Sequence, residues 1–422
     1  MNMSQDPDRA TLLQRRARLL APTYRLFYER PLQIVRAEGV WMYDEQGRAY
    51  LDAYNNVPVV GHCHPMVVEA LAQQARTLNT HTRYLTEQPL QLAEELLATM
   101  PDELAQVVYT CSGSEANDLA VQVSQAVTGG TGVIITELAY HGTTALMAGM
   151  SPEDGLPLGP GVYTVASPGE AGGAAAFGAH VHRCIERMRA EGVRLAALLV
   201  DTIFSSDGVV AEPRGFLADA VRHVHTAGGL FIADEVQAGF GRLGDTMWGF
   251  QRHGVAPDLV TMGKPMGNGH PIAAVAARRS LFEQFAQRRH YFNTYGGNTV
   301  SCATARAVLQ VIRSENLLEN AQRSGAHLQR GLHALMQRCP AIHEVRGAGL
   351  FIGVEIGANP VTGLSGRTET ARVVNALRRR GVLVGVTGRN GDVLKIRPPL
   401  TFELQHADLL LDELDRVLHS GP

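Results

Sequence analysis

The chain has 422 residues, of which 45% are hydrophobic and 19% charged, with a formal net charge of -3. That length predicts two or three lobes rather than one average domain, and the near-neutral balance offers no electrostatic reason to expect nucleic acid or an anionic membrane as a partner. The five cysteines (Cys63, Cys111, Cys184, Cys302 and Cys339) are odd in number and lack CxxC spacing, which argues against disulfides and zinc and for a reducing, cytoplasmic setting.

The N-terminus mixes Asp6, Asp8 and Arg9, so no signal peptide is expected. No apolar run approaches the roughly 18 residues of a membrane span. Leu12, Leu13, Arg15, Arg16, Arg18, Leu19 and Leu20 predict a short amphipathic helix, suited to the surface or a subunit interface. Ile34 to Leu51 reads as a small hairpin around the turn Asp44-Glu45-Gln46-Gly47. His62, Cys63 and His64 raise the question of a metal, but they lie on an irregular turn with no second ligand pair nearby, so none is expected. Pro65 is placed to start a helix through Leu78.

From about 66 to 300, short apolar runs alternate with helical periodicity. Val107-Val108-Tyr109 precedes a helix from Glu115, and Val133-Ile134-Ile135 precedes another near His141. Leu195 to Val200, Leu230 to Ala233 and Leu259 to Met262 follow, with a helix over Phe216 to His225. This rhythm predicts an α/β fold with a mostly parallel sheet covered by helices on both faces. Ser167 to Ala179 reads as a surface loop running into a helix. From about 305 the pattern changes to a long helix (Ala305 to Asn320, then Ala321 to Gln337), the strands around Val345 to Val354, Val382 to Val386 and Val393 to Arg397, and a last helix over His406 to Leu418. These make a second, smaller α+β lobe. The expected division is an N-terminal segment 1–65, a large domain 66–304 and a small domain 305–422.

Two residues organise the chemistry. Asp234 ends the apolar run Leu230 to Ala233, and Lys264 follows the run Leu259 to Met262. Parallel strands ending side by side would bring both into one crevice, where open α/β sheets bind ligands. A lysine facing a carboxylate there is what a pyridoxal 5'-phosphate site needs: a Schiff-base lysine, and an acid that keeps the pyridine nitrogen protonated. The stretch Thr110-Cys111-Ser112-Gly113-Ser114-Glu115-Ala116-Asn117 follows a strand and opens a helix. The unpaired N–H groups of a first helical turn bind phosphate, although the hydroxyls alone would also suit a plain N-cap. Tyr140 can stack on a flat ring or belong to the core. Phe292 to Asn298 is a polar, glycine-rich turn that either reaches a phosphate or is only a loop. Gly239 to Gly244 fits GxGxxG, but no amphipathic helix opens at its last glycine, so a dinucleotide site is not expected. Gly347-Ala348-Gly349 reads as a turn before a strand.

With these residues in place, the chain from about residue 25 resembles the class III aminotransferases, pyridoxal-phosphate enzymes of fold type I (aspartate-aminotransferase-like). The resemblance rests on Leu230 to Gly269, Asn55-Asn56-Val57, Gly61 to Pro65, Leu78-Asn79-Thr80, Thr261 to Pro271 and Phe292 to Asn298. It is strongest toward the branch that holds ethanolamine-phosphate phospho-lyase and the second alanine–glyoxylate aminotransferase. The resemblance implies that Lys264 carries the cofactor and Asp234 pairs with its ring nitrogen. It implies that Gly113 and Ser114 hold the cofactor phosphate, that Tyr140 and Val236 flank the ring, and that Gln237 lies near the ring hydroxyl. Thr294 would reach the phosphate of a partner's cofactor, which implies a homodimer, or a dimer of dimers, with shared sites.

Two positions depart from the transaminase pattern. Where an arginine usually clamps a substrate carboxylate, the chain has Lys395, and Asp201 stands where a glutamate usually serves as that arginine's switch partner. Lysine lacks the planar fork that fits a carboxylate. By strand alternation Arg397 shares a face with Lys395, either to bind a phosphate or in a structural ion pair. The expected activity is a phospho-lyase acting on a small phosphorylated amine such as O-phosphoethanolamine, with Tyr54, Asn56, Arg83, Lys395 and Arg397 as candidates for the substrate. The alternative is an ω-aminotransferase using pyruvate or glyoxylate.

Overall fold

The structure, a computed structural model, describes residues 7–169 and 172–420. Strands β1 (Ile34–Glu38), β2 (Trp41–Asp44) and β3 (Ala49–Asp52) form an antiparallel meander. Asp44 closes the turn between β2 and β3, its Oδ1 accepting from the N–H groups of Gln46 (3.1 Å) and Arg48 (2.9 Å). The central sheet contains β4 (Gln106–Thr110), β5 (Gly132–Thr136), β6 (Val162–Val165), β7 (Leu195–Asp201), β8 (Leu230–Asp234), β9 (Leu259–Met262) and β10 (Ala273–Ala277). Its order is β4-β10-β9-β8-β7-β5-β6. The strands from β6 to β9 across the sheet run parallel, and β10 lies antiparallel to both of its neighbours. Strands β5, β8, β9 and β10 are buried along their whole length, as their continuous apolar runs require when helices cover both faces.

The C-terminal part contributes β11 (Ile342–Ala348), β12 (Phe351–Ile356), β13 (Val382–Leu383), β14 (Gly385–Thr387) and β15 (Val393–Ile396). Four of these form an antiparallel sheet in the order β11-β12-β15-β14, while β13 pairs in parallel with β3. The N-terminal meander is thus completed by a strand from the far end of the chain. The glycine turn is the reversal between β11 and β12, with Gly349 at φ 51°.

Several boundaries differ from expectation. The helix expected near His141 is a single turn, Ala145–Ala148. The stretch before it is held out of helix by Ser151, whose Oγ accepts from the N–H groups of His141 (2.9 Å) and Gly142 (3.2 Å). The long helix begins earlier than Ala305, at Thr299, because the Asn298 side chain accepts from the N–H groups of Val300 and Ser301 and caps it. It stops at Ser314, and a second helix, Leu317–Arg338, follows after Asn316 at φ 51°. Gly239 to Gly244 is a turn wedged against that second helix: a Cβ on Gly244 would come 2.6 Å from Gln322 N. His62 and His64 have separate partners, Asp52 Oδ2 at 2.7 Å and Glu315 Oε1 at 2.9 Å. Among the described residues no group of three or more His, Cys, Asp or Glu is placed to hold a metal ion.

Candidate active site

The parallel register puts Asp234, the last residue of β8, beside Asp201 at the end of β7 and beside Thr261 on β9. Lys264 follows at the turn leaving β9, with its backbone at φ 22°, a conformation that costs a non-glycine residue about 1–3 kcal/mol and persists where packing imposes it. A cleft with about 460 Å³ of empty space lies over these strand ends. Gly113, Ser114, Asn117, Tyr140, His141 and Gly142 line one side, and Asp201, Asp234, Val236, Gln237 and Lys264 the other. Seven of the residues expected from sequence therefore meet in one crevice: Lys264, Asp234, Gly113, Ser114, Tyr140, Val236 and Gln237.

Asp234 is buried and fully engaged. Its Oδ2 accepts from Asn117 Nδ2 at 2.8 Å and lies 2.7 Å from His141 Nδ1, and its Oδ1 accepts from the Val236 N–H at 3.1 Å. A carboxylate only accepts, so His141 carries its proton on Nδ1. Asn117 is itself oriented, accepting from Thr261 Oγ1 (2.6 Å) and donating to the His141 carbonyl (2.9 Å). Sequence reading named the stretches holding Asn117 and His141 without giving either a role. The signal was present for Asn117, one of two polar residues, with Ser124, on the otherwise apolar buried face of its helix.

Gly113 and Ser114 open the helix Gly113–Thr128, which Ser112 caps through its side chain and Glu115 N. A Cβ at Gly113 would come 2.9 Å from both Val236 methyls, and one at Gly142 would collide with the Ser114 side chain. These bare backbones leave the free N–H groups of the first helical turn open to the cleft.

From the cleft lining, Gln237 joins the central sheet to the segment after β15. Gln237 donates through Nε2 to Ser205 Oγ (2.6 Å) and accepts at Oε1 from Arg397 Nη1 (2.7 Å) and Asn56 Nδ2 (3.3 Å). The Arg397 guanidinium lies over the Tyr54 ring, 5.1 Å from its centroid. Its hydrogen-bond partners are the amide oxygens of Gln237 and Asn56 and the Tyr54 side chain, rather than a carboxylate. Lys395 is 5% exposed, and its ammonium lies 5.7 Å from the Phe351 ring centroid. Burial, and then the neighbouring Arg397 charge, push Lys395 down to about 7 and lower Lys264 as well, with Asp234, Asp201 and Glu153 opposing the shift in Lys264. Asp201 is tied to backbone: its oxygens accept from the N–H groups of Ile203 (3.0 Å) and Ser205 (2.9 Å). Burial first, and then Asp234, raise its carboxyl above the usual range.

Arg83 and Thr294 are not brought into this cleft. Both are exposed, and the Arg83 guanidinium stacks on Phe292, 3.8 Å from its centroid.

The family model for class III aminotransferases matches residues 27–418. An alanine–glyoxylate aminotransferase 2-like protein of Drosophila melanogaster is 38% identical over 406 residues, covering 92% of this chain and 82% of that one. Ethanolamine-phosphate phospho-lyase homolog 1 of Caenorhabditis elegans is 35% identical over 434 residues, covering 96% and 93%. A solved phospholyase from Arthrobacter, in complex with phosphoethanolamine, is 41% identical with a TM-score of 0.92, covering 97% of this chain and all of that one (100%). The cleft fits the cofactor of that family: a collar of bare backbone N–H groups for a phosphate, a bonded acid, and a buried lysine whose burial favours the neutral amine. The chain belongs to the class III aminotransferase family, and it is a pyridoxal-phosphate-dependent enzyme of fold type I.

Proposed function

We propose that the enzyme eliminates phosphate from a small phosphorylated primary amine of the O-phosphoethanolamine class, giving an aldehyde, ammonia and phosphate. One observation carries this reading: buried Lys395, within electrostatic reach of Lys264 and Asp201, and half-buried Arg397, bonded to Gln237, lie beside the cleft, while the nearby carboxylate of Asp201 is taken up by backbone N–H groups. Two desolvated cations without a bonded carboxylate favour a multiply charged anion over a neutral or singly charged group. The names of the Caenorhabditis elegans and Arthrobacter relatives support the same substrate class.

Bound pyridoxal 5'-phosphate supplies an electron sink for charge developing at the substrate Cα. Gly113 and Ser114 would hold its phosphate, Tyr140 and Val236 would flank its ring, Gln237 would lie beside the ring hydroxyl, and Asp234 would keep a proton on the ring nitrogen. Lys264 would carry the cofactor, and its Nζ, whose burial disfavours the charged form, would take the substrate Cα proton. Lys395 and Arg397, with Tyr54 and Asn56, bind the substrate phosphate.

The same reading takes the working unit to be a homodimer in the cytoplasm. Thr294 and Arg83 then serve the partner's cleft. Exposed Tyr84 (64%), Leu85 (104%), Leu90 (57%) and Tyr295 (72%) favour a covered face, and five free thiols favour a reducing compartment. The division into segments 1–65, 66–304 and 305–422 belongs to this proposal as well.

The second reading is an ω-aminotransferase, favoured by the likeness to the alanine–glyoxylate aminotransferase 2-like protein. An amine panel decides between the two. Phosphate release from O-phosphoethanolamine without any keto acid is the expected result. Turnover that requires pyruvate or glyoxylate and releases no phosphate would establish the second reading instead.

A further inference from the structure

Lys395 lies on β15, between β12 and β14 in its sheet. Its partners across both ladders are glycines, Gly353 and Gly385, so no side chain from either neighbouring strand rises directly beside it. The charged groups that act on it are Arg397 on the same segment, Lys264 after β9, Asp201 at the end of β7 and Glu153 in the turn Pro152–Asp154. Both carboxylates have other partners: Asp201 accepts from the Ile203 and Ser205 N–H groups, and Glu153 accepts from Ser206 Oγ at 2.6 Å. The ammonium is left with an aromatic ring at 5.7 Å and a guanidinium nearby.

A bound phosphate monoester needs more than charge to leave. It carries about -1.5 to -2 charges near neutral pH, and cleavage of its carbon–oxygen bond adds another electron pair to the bridging oxygen. Without a proton the leaving group would be the strongly basic phosphate trianion. Arg397 holds charge but does not release its proton, and Lys264 is occupied at Cα. A buried lysine both binds an anion and gives up a proton readily.

We propose that Lys395 is the general acid that protonates the departing phosphate. The inference rests on the phospho-lyase reading above. The Cα–H bond breaks, its proton goes to Lys264 Nζ, and its electron pair forms the second Cα–Cβ bond. The Cβ–O bond breaks, its electron pair stays on the bridging oxygen, and Lys395 Nζ gives that oxygen a proton. Hydrogen phosphate departs, Lys395 is left neutral, and water reprotonates it. The burial that lowers Lys395 to about 7 supports this role. An arginine at this position would bind the anion and fail as the acid.

The test compares cofactor-loaded wild type and Lys395→Arg on ethanolamine O-phosphate and ethanolamine O-sulfate, because sulfate departs without a proton. Loss of the binding role of Lys395 lowers both rates alike and cancels in their ratio. Lys395→Arg is expected to lose about 10²–10⁴-fold more on the phosphate ester than on the sulfate ester, the usual contribution of a general acid. In the wild type, elimination of phosphate falls more steeply than elimination of sulfate as pH rises through the range where Lys395 loses its proton. Equal losses on both esters, or wild-type profiles that fall together, overturn the proton-donor role and leave Lys395 a binding cation. If wild type releases no phosphate without a keto acid, the phospho-lyase reading itself fails and this inference falls with it.

Discussion

Asp234 shows how a buried acid is held in place: three donors converge on it, and one of them, Asn117, is itself held by Thr261. A hydrogen bond to a charged group contributes about 1.5–3 kcal/mol. Asn117→Ala is therefore expected to lower kcat/KM by roughly 10- to 100-fold with the fold intact, as steady-state kinetics and thermal unfolding would show; an unchanged kcat/KM would mean that His141 and Val236 N–H suffice. Lys395 makes the opposite trade. Its folded-state pKa lies below its unfolded value, so between the two the unfolded chain binds more protons and stability rises with pH. The destabilising contribution is full below about 7 and fades toward the unfolded value of about 10.4. Lys395→Met should stabilise the cofactor-free protein at neutral pH by on the order of 3 kcal/mol, with the gain shrinking by pH 9–10. Denaturant midpoints across that range check both the sign and the trend.

At the scale of elements, the site depends on how the C-terminal sheet is fastened over the central one. Arg242, fully buried in the turn after β8, donates to the carbonyls of Leu350 and Pro398. Pro398 directly follows Arg397, so the same bonds that join the two sheets also fix Arg397, proposed above to bind the substrate phosphate. Arg242→Met leaves two buried carbonyls unpaired at about 1–3 kcal/mol each. It should lower stability in urea and raise KM for the phosphorylated amine more than it lowers kcat; a lower stability with unchanged KM would limit Arg242 to a structural role. The phosphate collar gives a sharper test. Gly142 has φ 136° and no room for a Cβ beside Ser114, so Gly142→Ala is expected to weaken cofactor binding, read as loss of the bound cofactor's visible absorbance on dialysis. The collar helix was legible because Ser112, Gly113 and Glu115 are local signals for a helix start. The single turn at Ala145–Ala148 was not, because what prevents a helix at His141 is Ser151, a side chain whose role appears only once the loop has closed.

At the scale of the whole molecule, the surface around Arg83 and Thr294 is apolar. Tyr84, Leu85, Leu90 and Tyr295 stand open in one chain. The proposed dimer predicts a particle of twice the 45.6 kDa chain mass in sedimentation. Leu85→Asp should shift it toward monomer with a parallel loss of cofactor; full activity in a monomer would remove Thr294 and Arg83 from the site.

The sequence alone determined that apolar runs alternate with helices, that an acid and a lysine close two of those runs, and that a hydroxyl- and glycine-bearing helix start lies upstream. Each of these is encoded within a few neighbouring residues, where periodicity and capping chemistry act. The tertiary structure decided what the acid and the cations touch. Asn117 and Asp234 are 117 positions apart, and Arg397 and Gln237 are 160 apart. No local pattern encodes such pairs, because a hydrogen bond between distant segments exists only once strand order and register have brought the two backbones together. Strand alternation could place Lys395 and Arg397 on one face. Only the packed sheets brought buried Lys395 within electrostatic reach of Lys264 while turning Asp201 onto its own backbone.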